Sequence, residues 1–150
     1  IQNRLGLINE TWSLMLPYTA LSVAISVFIM RGVFETVPKD LVDSARIDGA
    51  GTARVLGGIM LPLVRNGIVV VVIVNFVAAW GEYLLALTLM NDASRRTLPV
   101  FIVSTSGGVG GSLWPRVAAL YVIAILPALI VFAIAQRWFM KGLQEGALKA

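Results

Sequence analysis

Three long apolar runs constrain the fold of this 150-residue chain more than any other feature. They occupy residues 12–30, 67–90 and 117–139, and the charged residues within them are Glu82 and Arg137. A helix rises about 1.5 Å per residue and the hydrocarbon core of a bilayer is about 30 Å thick, so about 20 residues cross it. Lipid offers backbone groups no partners, which favours helices, and the runs lack the alternation of barrel strands. The sequence therefore predicts an all-α polytopic transmembrane protein.

The composition agrees with lipid as the solvent. Hydrophobic residues make up 58% of the chain and charged residues 13%, against about 45–50% and about 25% in soluble domains. The chain contains no cysteine and no histidine, which removes the commonest general base and the imidazole metal ligand. We expect no catalytic residue, metal ion or cofactor. The net charge of +4 is spread between the apolar runs, so it indicates membrane topology rather than nucleic-acid binding.

The lysines and arginines around the runs predict the orientation. Five lie between the first two runs and three in the C-terminal tail, whereas three lie between the last two runs and one precedes the first. Because cytoplasmic loops carry the excess of positive charge, residues 31–66 and the tail are predicted to be cytoplasmic, with an outer loop at 91–116. The N-terminus has no initiating methionine and does not resemble a signal peptide, so we expect the chain to begin within a longer protein.

A polar segment with helical features separates the first two runs. Pro38 suits the first turn of a helix, and Asp40 and Asp43 favour the positive end of its dipole. Gly49 is expected to end this short amphipathic helix, and Gly51 to permit a change of direction before a second one. The apolar side of the first helix carries Leu41, Val42 and Ala45. The pattern predicts a helix–turn–helix on the cytoplasmic face, which either rests on lipid headgroups or docks onto another protein.

The motif SARIDGAG followed by IMLPL resembles the cytoplasmic loop signature of the ABC importer permeases. The usual form of that signature is Glu-Ala-Ala, then an Asp-Gly-Ala core, then Leu-Pro-Leu. The flanks resemble the carbohydrate (maltose-type) branch of the family: LPYTALSVAISVFIMRGVFETVPKDLVDSARIDGAG, FVAAWGEYLLALTLM and QRWFMKGLQEGALKA. The resemblance covers nearly the whole chain and corresponds to the C-terminal half of such a permease.

The resemblance implies a function, a location and partners. A permease of this family is a multi-pass protein of the bacterial cytoplasmic (inner) membrane that imports a sugar or sugar-like solute. It is not an enzyme, since ATP is hydrolysed by a separate dimer of ATP-binding cassette ATPase subunits. The other implied partners are a second permease subunit, an extracytoplasmic solute-binding protein and membrane lipid. The polar loop forms the coupling helix, which sits in a groove of the ATPase and switches the spans between inward- and outward-facing states.

The resemblance assigns roles within the loop by position. Asp43 stands where the family usually has glutamate, one methylene longer, and is expected to pair with a basic residue of the ATPase. Ala45 and Gly49 would allow close contact. Asp48 would contact the turn or the partner, or alternatively only cap the following helix. The complete set of predicted coupling residues is Asp43, Ala45, Asp48, Gly49, Ala50 and Gly51.

The second run also contains candidates for the solute path. An ionisable residue within a span indicates a functional site. Asn75 and Glu82 would lie two turns apart on about one face of a continuous helix, with Trp80 beside them. Hydrogen-bonding groups and aromatic faces suit sugar hydroxyls and rings, so these three residues could line the path. The alternative is that Glu82 is structural and pairs with a residue of the other half of the permease.

Other classes of function are weighed against transport driven by ATP. A secondary transporter driven by an ion gradient would carry paired intramembrane charges and broken helices, whereas this chain shows Glu82 and a single mid-span proline, Pro127. A membrane-embedded protease is disfavoured, since the nucleophile elbow Gly-x-Ser-x-Gly is absent from the sequence. The third class is a non-transport membrane protein with an interfacial amphipathic helix. The stretch GGVGG at 107–111 lacks the Gly-Lys-Ser/Thr ending of a phosphate-binding loop and predicts a flexible outer loop.

Overall fold

The computed structural model describes the backbone of residues 6–106 and 114–147, and the side chains of these residues up to Gln136. Every regular element in this part of the chain is helical, which confirms the predicted all-α class. The helices are α1 (Thr11–Glu35), α2 (Lys39–Ile47), α3 (Thr52–Val55), α4 (Leu61–Leu63), α5 (Arg65–Trp80), α6 (Leu84–Leu89), α7 (Leu98–Ser106) and α8 (Trp114–Ala147). A π-helical turn (Leu56–Met60) joins α3 to α4, and a 3-10 turn (Ala93–Arg95) precedes α7.

Two helices are long and apolar enough to cross a membrane, namely α1 and the Trp114–Gln136 part of α8. Their surfaces expose many large apolar side chains, for example Phe28 at 82% and Val122 at 62%. Exposing apolar surface to water costs about 25 cal/mol per Å², so these faces require lipid or another apolar surface. Both helices contain the apolar runs from which they were predicted, residues 12–30 and 117–139.

The second apolar run is divided between two helices. The sequence predicts one helix over residues 67–90, but α5 ends at Trp80 and α6 begins at Leu84. At its other end, α5 meets the helical stretch Thr52–Leu63 at a bend of 73°. If this bent pair is one span, the described residues contain up to three spans.

The predicted outer loop, residues 91–116, contains regular structure of its own. Helix α7 occupies Leu98–Ser106, and Val100 and Ile102 are its buried residues. Residues 107–113, which hold the GGVGG stretch, lie outside the described residues. The predicted placement of this loop on the outer side stays a prediction.

Two compact units make up the chain, and the first comprises residues up to 22 together with 76–133. Its core is a cluster contributed by the N-terminal part of α1, by α6 and by α7. The buried members of the cluster are Leu14, Ala86, Met90 and Val100, with Tyr18, Tyr83 and Leu89 packed against them.

The second unit comprises residues 23–75 and the chain from 134 onwards. Here α1 and α5 are antiparallel and meet at two levels. Asn75 Nδ2 donates a 2.8 Å hydrogen bond to Ser26 Oγ. Nearer the connecting loop, Gly67 is buried against Val33, where a Cβ would come 2.5 Å from Val33 Cγ1. The absence of a side chain at Gly67 therefore permits this close approach of the two helices.

Candidate functional site

The polar segment between α1 and α5 is organised around α2. We call residues 38–55 the coupling segment. Pro38 occupies the N-cap position with a φ of −59° and a ψ of 127°, a conformation that its ring favours. Asp40 lies in the first turn of α2 and Arg46 in the last, so both charges oppose the partial charges of the helix ends. The Ser44 hydroxyl donates a 2.7 Å hydrogen bond to the Asp40 carbonyl oxygen.

The end of α2 is a Schellman motif built on Gly49. The Ala50 N–H donates to the Ala45 carbonyl oxygen at 2.9 Å, and the Gly49 N–H donates to that of Arg46 at 3.0 Å. Gly49 has a φ of +79°, which lies in the left-handed region where a Cβ is unfavourable. The predicted stop at Gly49 is confirmed, and the two bonds make the turn a defined structure rather than a loose connection.

Gly51 and Asp48 have different surroundings from those the sequence suggested. Gly51 is the N-cap residue of α3 with a φ of −67° and a ψ of 161°, a conformation that any residue can adopt. A Cβ at Gly51 would meet nothing within 4 Å, so packing within the described residues does not require glycine here. Gly51, and not Asp48, occupies the N-cap position of α3. The role of Asp48 stays a prediction.

Two small apolar side chains of the coupling segment are buried, whereas most of its other side chains are exposed. Ala45 is 9% exposed and Val55 is 4% exposed. Asp43 and Asp48 are exposed, and Ile47 at the end of α2 is 86% exposed. The segment therefore presents a polar surface with two exposed aliphatic side chains, Ile47 and the 46% exposed Leu41, on a backbone held by its helices and by the turn.

Glu82 lies in the non-helical break between α5 and α6, where its carboxylate accepts three hydrogen bonds. Oε1 accepts from the Leu85 N–H at 2.7 Å, and Oε2 accepts from the Ala86 N–H at 3.0 Å. Oε2 also accepts from the Tyr18 hydroxyl at 2.9 Å. Glu82 thus satisfies two of the free N–H groups at the start of α6 and ties them to α1.

Glu82 lies outside the helix that contains Asn75. The prediction that these two residues share one helical face is therefore wrong, because α5 ends at Trp80. Glu82 has a structural partner, as the alternative expected, but that partner is Tyr18 of this same chain. Sequence reasoning missed Tyr18, since nothing in its neighbourhood indicates a partner 64 residues away. The sequence does contain one signal for the start of a new helix, namely the Gly81–Glu82 pair directly before the apolar residues of α6.

Trp80 ends α5 and contacts α8. Its indole Nε1–H donates a 2.9 Å hydrogen bond to the Ala124 carbonyl oxygen. Pro127, three residues further along α8, has no N–H and interrupts the helical hydrogen bonds of this turn. The Trp80 ring also stacks on Phe76, with 5.8 Å between ring centroids and 16° between planes.

Asn75 bonds within the α1–α5 pair. Its Nδ2 donates to Ser26 Oγ at 2.8 Å and to the Val71 carbonyl oxygen at 2.9 Å. The buried Oδ1 atom has no hydrogen-bond partner among the described residues. A buried amide oxygen without a donor costs free energy, so Oδ1 is a candidate acceptor for a hydroxyl donor. The structure gives Asn75, Trp80 and Glu82 separate partners, and their role in a solute path stays a prediction.

A polar cluster before α1 and after α6 was not anticipated from the sequence. Asn9 has a φ of +64°, its N–H donates to the Leu89 carbonyl oxygen at 3.0 Å, and its Oδ1 accepts from the Asp92 N–H at 2.9 Å. Arg95 Nη1 donates to the Asn9 carbonyl oxygen at 2.7 Å and pairs with Glu10 Oε1 at 3.1 Å. The cluster fastens the start of α1 to the chain that follows α6.

Asp92 caps the 3-10 turn in this cluster. Its Oδ1 accepts from the Ser94 N–H at 2.9 Å and from the Ser94 hydroxyl at 2.8 Å. These two hydrogen bonds lower the pKa of Asp92, and the nearby Arg95 and Arg96 add to the effect. Among the described residues, no group of three or more His, Cys, Asp or Glu side chains could hold a metal ion.

Comparison with known proteins gives this geometry a family. Residues 6–145 match the family described as the binding-protein-dependent transport system inner membrane component. The sulfoquinovosyl glycerol transport system permease protein of Agrobacterium fabrum is 37% identical over 99% of this chain and 52% of its own length. The trehalose/maltose transport system permease protein of Thermococcus litoralis is 36% identical over 97% of this chain and 52% of its own length.

A third relative, the sn-glycerol-3-phosphate transport system permease protein of Agrobacterium fabrum, is 37% identical over 94% of this chain and 50% of its own length. The chain spans about half the length of these three curated relatives. Relatives of this type are permease subunits and not enzymes. Because the family match covers most of the sequence, and includes the coupling segment and both long apolar helices, the chain belongs to the family of binding-protein-dependent transport system inner membrane components.

Proposed function

We propose that the chain is part of the transmembrane permease subunit of an ATP-driven importer for a sugar or sugar-like solute. The observation that carries the proposal is the coupling segment, a helix–turn–helix that lies between the apolar helices α1 and α5. The whole of this region lies within the match to the transport family. The names of the three relatives refer to sulfoquinovosyl glycerol, to trehalose or maltose, and to sn-glycerol-3-phosphate. All of these are polyhydroxylated compounds, which supports a solute of that chemical class.

The partners follow from the same proposal. The coupling segment docks into a groove of a separate ATP-binding cassette ATPase subunit, whose dimer hydrolyses the ATP. A second permease subunit completes the solute path, and an extracytoplasmic binding protein delivers the solute. The family description, which names dependence on a binding protein, supports the last of these.

Each predicted coupling residue has a place in this docking. The small residues Gly49, Ala50 and Gly51 leave the turn without bulky side chains, so a groove can approach its backbone. Gly51 supports this reading best, because neither its backbone conformation nor its surroundings require glycine. Asp43 is exposed and would pair with a basic residue of the partner. Asp48 is exposed too, so a partner can reach it. The Ala45 side chain is buried, and its carbonyl oxygen accepts the Ala50 N–H that closes the turn.

The test is co-purification of the full-length permease with its ATP-binding subunit in detergent. Gly49→Asp and Gly51→Asp both add a charged side chain to the turn, but only the first also strains the backbone. We expect both variants to lose the ATPase while the membrane helices stay folded. Asn91→Asp is the matched control, since it adds the same carboxylate in an exposed position on the predicted outer side, and it should retain the ATPase.

Retention of the ATPase by Gly51→Asp would contradict the docking and favour the interfacial amphipathic helix. A second measurement separates ATP-driven import from an ion-driven secondary transporter. Proteoliposomes with the complete importer would be tested for uptake of labelled maltose, trehalose and sn-glycerol-3-phosphate. Uptake that requires enclosed ATP supports the proposal, whereas uptake driven by a proton gradient without ATP contradicts it.

A further inference from the structure

The break between α5 and α6 is flanked by two side chains that tie it to two different helices. Trp80, the last residue of α5, donates to the Ala124 carbonyl oxygen of α8 at 2.9 Å. Glu82, two residues later, accepts from the Tyr18 hydroxyl of α1 at 2.9 Å. Gly81 lies between them and is exposed, with room for a side chain. The two residues on either side of this glycine therefore both make long-range hydrogen bonds.

We propose that Trp80 and Glu82 are positioning residues, which clamp the break between α5 and α6 onto α8 and α1 so that movement of α5 reaches both helices. This inference rests on the proposed function, because it assigns a route from the coupling segment into the spans. It also gives the two residues a different role from direct contact with solute.

The polar atoms of both residues are already committed to protein partners. Both carboxylate oxygens of Glu82 accept hydrogen bonds, two of them from backbone N–H groups that open the first turn of α6. Lipid offers no partner to such backbone groups, so the break requires the carboxylate whether or not its remaining acceptor site also meets a solute hydroxyl. The indole of Trp80 has one donor, and the Ala124 carbonyl oxygen takes it.

The two hydrogen bonds lie at the end of α5 that is farthest from the coupling segment, so a movement of α5 as a whole would reach them. Helix α5 begins at Arg65, directly after the 73° bend that follows the Thr52–Leu63 stretch, and ends at Trp80. A helix moves as a stiff rod, but the backbone hydrogen bonds of α5 end here, where the Gly81 N–H donates to the Val77 carbonyl oxygen at 3.1 Å. Beyond this point other contacts must carry the movement. The Trp80 bond to α8 lies just before Gly81, and the Glu82 bond to α1 lies just after it. Together they make the break a junction of three helices.

A crossed reporter experiment tests the two clamps separately. The complete importer would be assembled in nanodiscs from the full-length permease in a cysteine-free background. A fluorophore on Leu21→Cys reports on α1 and one on Val122→Cys reports on α8; the two native side chains are 58% and 62% exposed. The measured quantity is the fluorescence change between ADP and ATP with vanadate. We call the Tyr18–Glu82 hydrogen bond the α1 clamp and the Trp80–Ala124 hydrogen bond the α8 clamp. Tyr18→Phe removes the donor of the α1 clamp, and Trp80→Phe removes the donor of the α8 clamp.

The proposal makes a crossed prediction. Tyr18→Phe should lower the α1 signal roughly threefold and leave the α8 signal intact, and Trp80→Phe should do the reverse, since an interhelical hydrogen bond in a membrane shifts an equilibrium by about that factor. Trp12→Phe and Tyr121→Phe, at side chains 60% and 50% exposed, are the matched controls and should change neither signal.

Three results would overturn the assignment. If Tyr18→Phe keeps the full α1 signal and Trp80→Phe keeps the full α8 signal, the two hydrogen bonds do not transmit the movement of α5. If each variant lowers both signals equally, the residues only stabilise the fold. If the wild-type importer hydrolyses ATP without a signal at either reporter, the junction does not follow the nucleotide. Failure of the wild-type permease to assemble with an ATPase would instead overturn the proposed function, and this inference with it.

Discussion

Gly67 of α5 lies so close to Val33 of α1 that a Cβ at position 67 would come 2.5 Å from Val33 Cγ1 and 2.7 Å from Cγ2. Val33 lies two residues before the end of α1, and Gly67 lies two residues after the start of α5. The connecting residues 36–64, which include the coupling segment, are therefore held at both ends by one helix pair. Docking of a partner onto the coupling segment would act on two helices whose spacing is set by Gly67.

Substitution of Gly67 by alanine should destabilise this pair. The branched Val33 side chain has restricted rotamers in a helix, so it cannot easily move away from the added methyl group. Overpacking of this kind costs about 1–3 kcal/mol. The measurement is thermal unfolding of the full-length protein in detergent, where Gly67→Ala should lower the midpoint.

Two companion variants make the Gly67 prediction specific. Val33→Ala should remove the clash, so the double variant should recover much of the stability lost by Gly67→Ala alone. Gly32→Ala is the matched glycine control, since a Cβ there meets nothing within 4 Å and alanine favours a helix by about 1 kcal/mol. Equal destabilisation by Gly32→Ala and Gly67→Ala would contradict a steric cause.

The sequence predicted the elements whose signal is local. The charge-free run at 12–30 lies within α1, and the pattern from Pro38 to Gly49 predicted both α2 and its end. The break at Gly81–Tyr83 was missed because the run stays apolar on both sides of it, and lipid favours a continuous helix. The break is tolerated because Glu82 and Tyr18 supply partners to it, and hydropathy contains no information on such a pairing.

Helix α7 and the cluster around Asn9 were missed for a related reason. A short apolar helix such as Leu98–Ser106 is below the length that indicates a span, so it was assigned to a loop. Arg95 was counted only as a topological charge, although it bonds to Asn9 and Glu10. The hydrogen bonds of the Asn9 cluster join residues more than 80 positions apart in the sequence, so no local pattern predicts them.

The carboxylate of Glu82 should matter more than the hydroxyl of Tyr18 for the stability of α6. Glu82→Gln keeps the size of the side chain but places an NH₂ group against an N–H donor of Leu85 or Ala86. Tyr18→Phe removes one donor and leaves both backbone bonds intact. We expect the loss of unfolding free energy to be about 1–3 kcal/mol for Glu82→Gln, and smaller for Tyr18→Phe.

Hydrogen exchange at the Leu85 and Ala86 amides would check this order directly. Both amides should exchange faster in Glu82→Gln, with little change in Tyr18→Phe. Unchanged protection in Glu82→Gln would mean that the carboxylate does not cap α6. Thr88→Val is a suitable control within the same helix, because the Thr88 hydroxyl bonds only to the Leu85 carbonyl oxygen.

Stability should depend on pH through Asp92. The Ser94 N–H and hydroxyl lower its pKa in the folded protein relative to the unfolded value of about 3.9. A lowered folded pKa stabilises the fold above the unfolded pKa, and this contribution is lost as the pH falls through the folded pKa. The difference in unfolding midpoint between wild type and Asp92→Ala should therefore be constant near neutral pH and shrink in acid. Asn91→Ala, an exposed neutral neighbour, should show a difference that does not vary with pH.

Asn9 should separate the effect of backbone conformation from that of a side-chain hydrogen bond. Its φ of +64° is unfavourable for a residue with a Cβ, and asparagine tolerates it better than alanine does. Its Oδ1 accepts from the Asp92 N–H. Asn9→Gly loses the acceptor but keeps the backbone, whereas Asn9→Ala loses the acceptor and adds strain.

We expect Asn9→Gly to cost about 1 kcal/mol for the lost hydrogen bond, and Asn9→Ala to cost about 1–2 kcal/mol more for the left-handed backbone. Unfolding of the full-length protein in detergent would measure both. Equal stability of the two variants would mean that the left-handed turn is not maintained.

If the turn does hold, Arg95→Ala should cost less unfolding free energy than Asn9→Ala. The Arg95–Glu10 pair is half exposed, with side chains 50% and 53% accessible, and exposed pairs contribute about 0–1 kcal/mol. High salt should reduce the Arg95 effect and leave the Asn9 effect unchanged, since only the ion pair is screened.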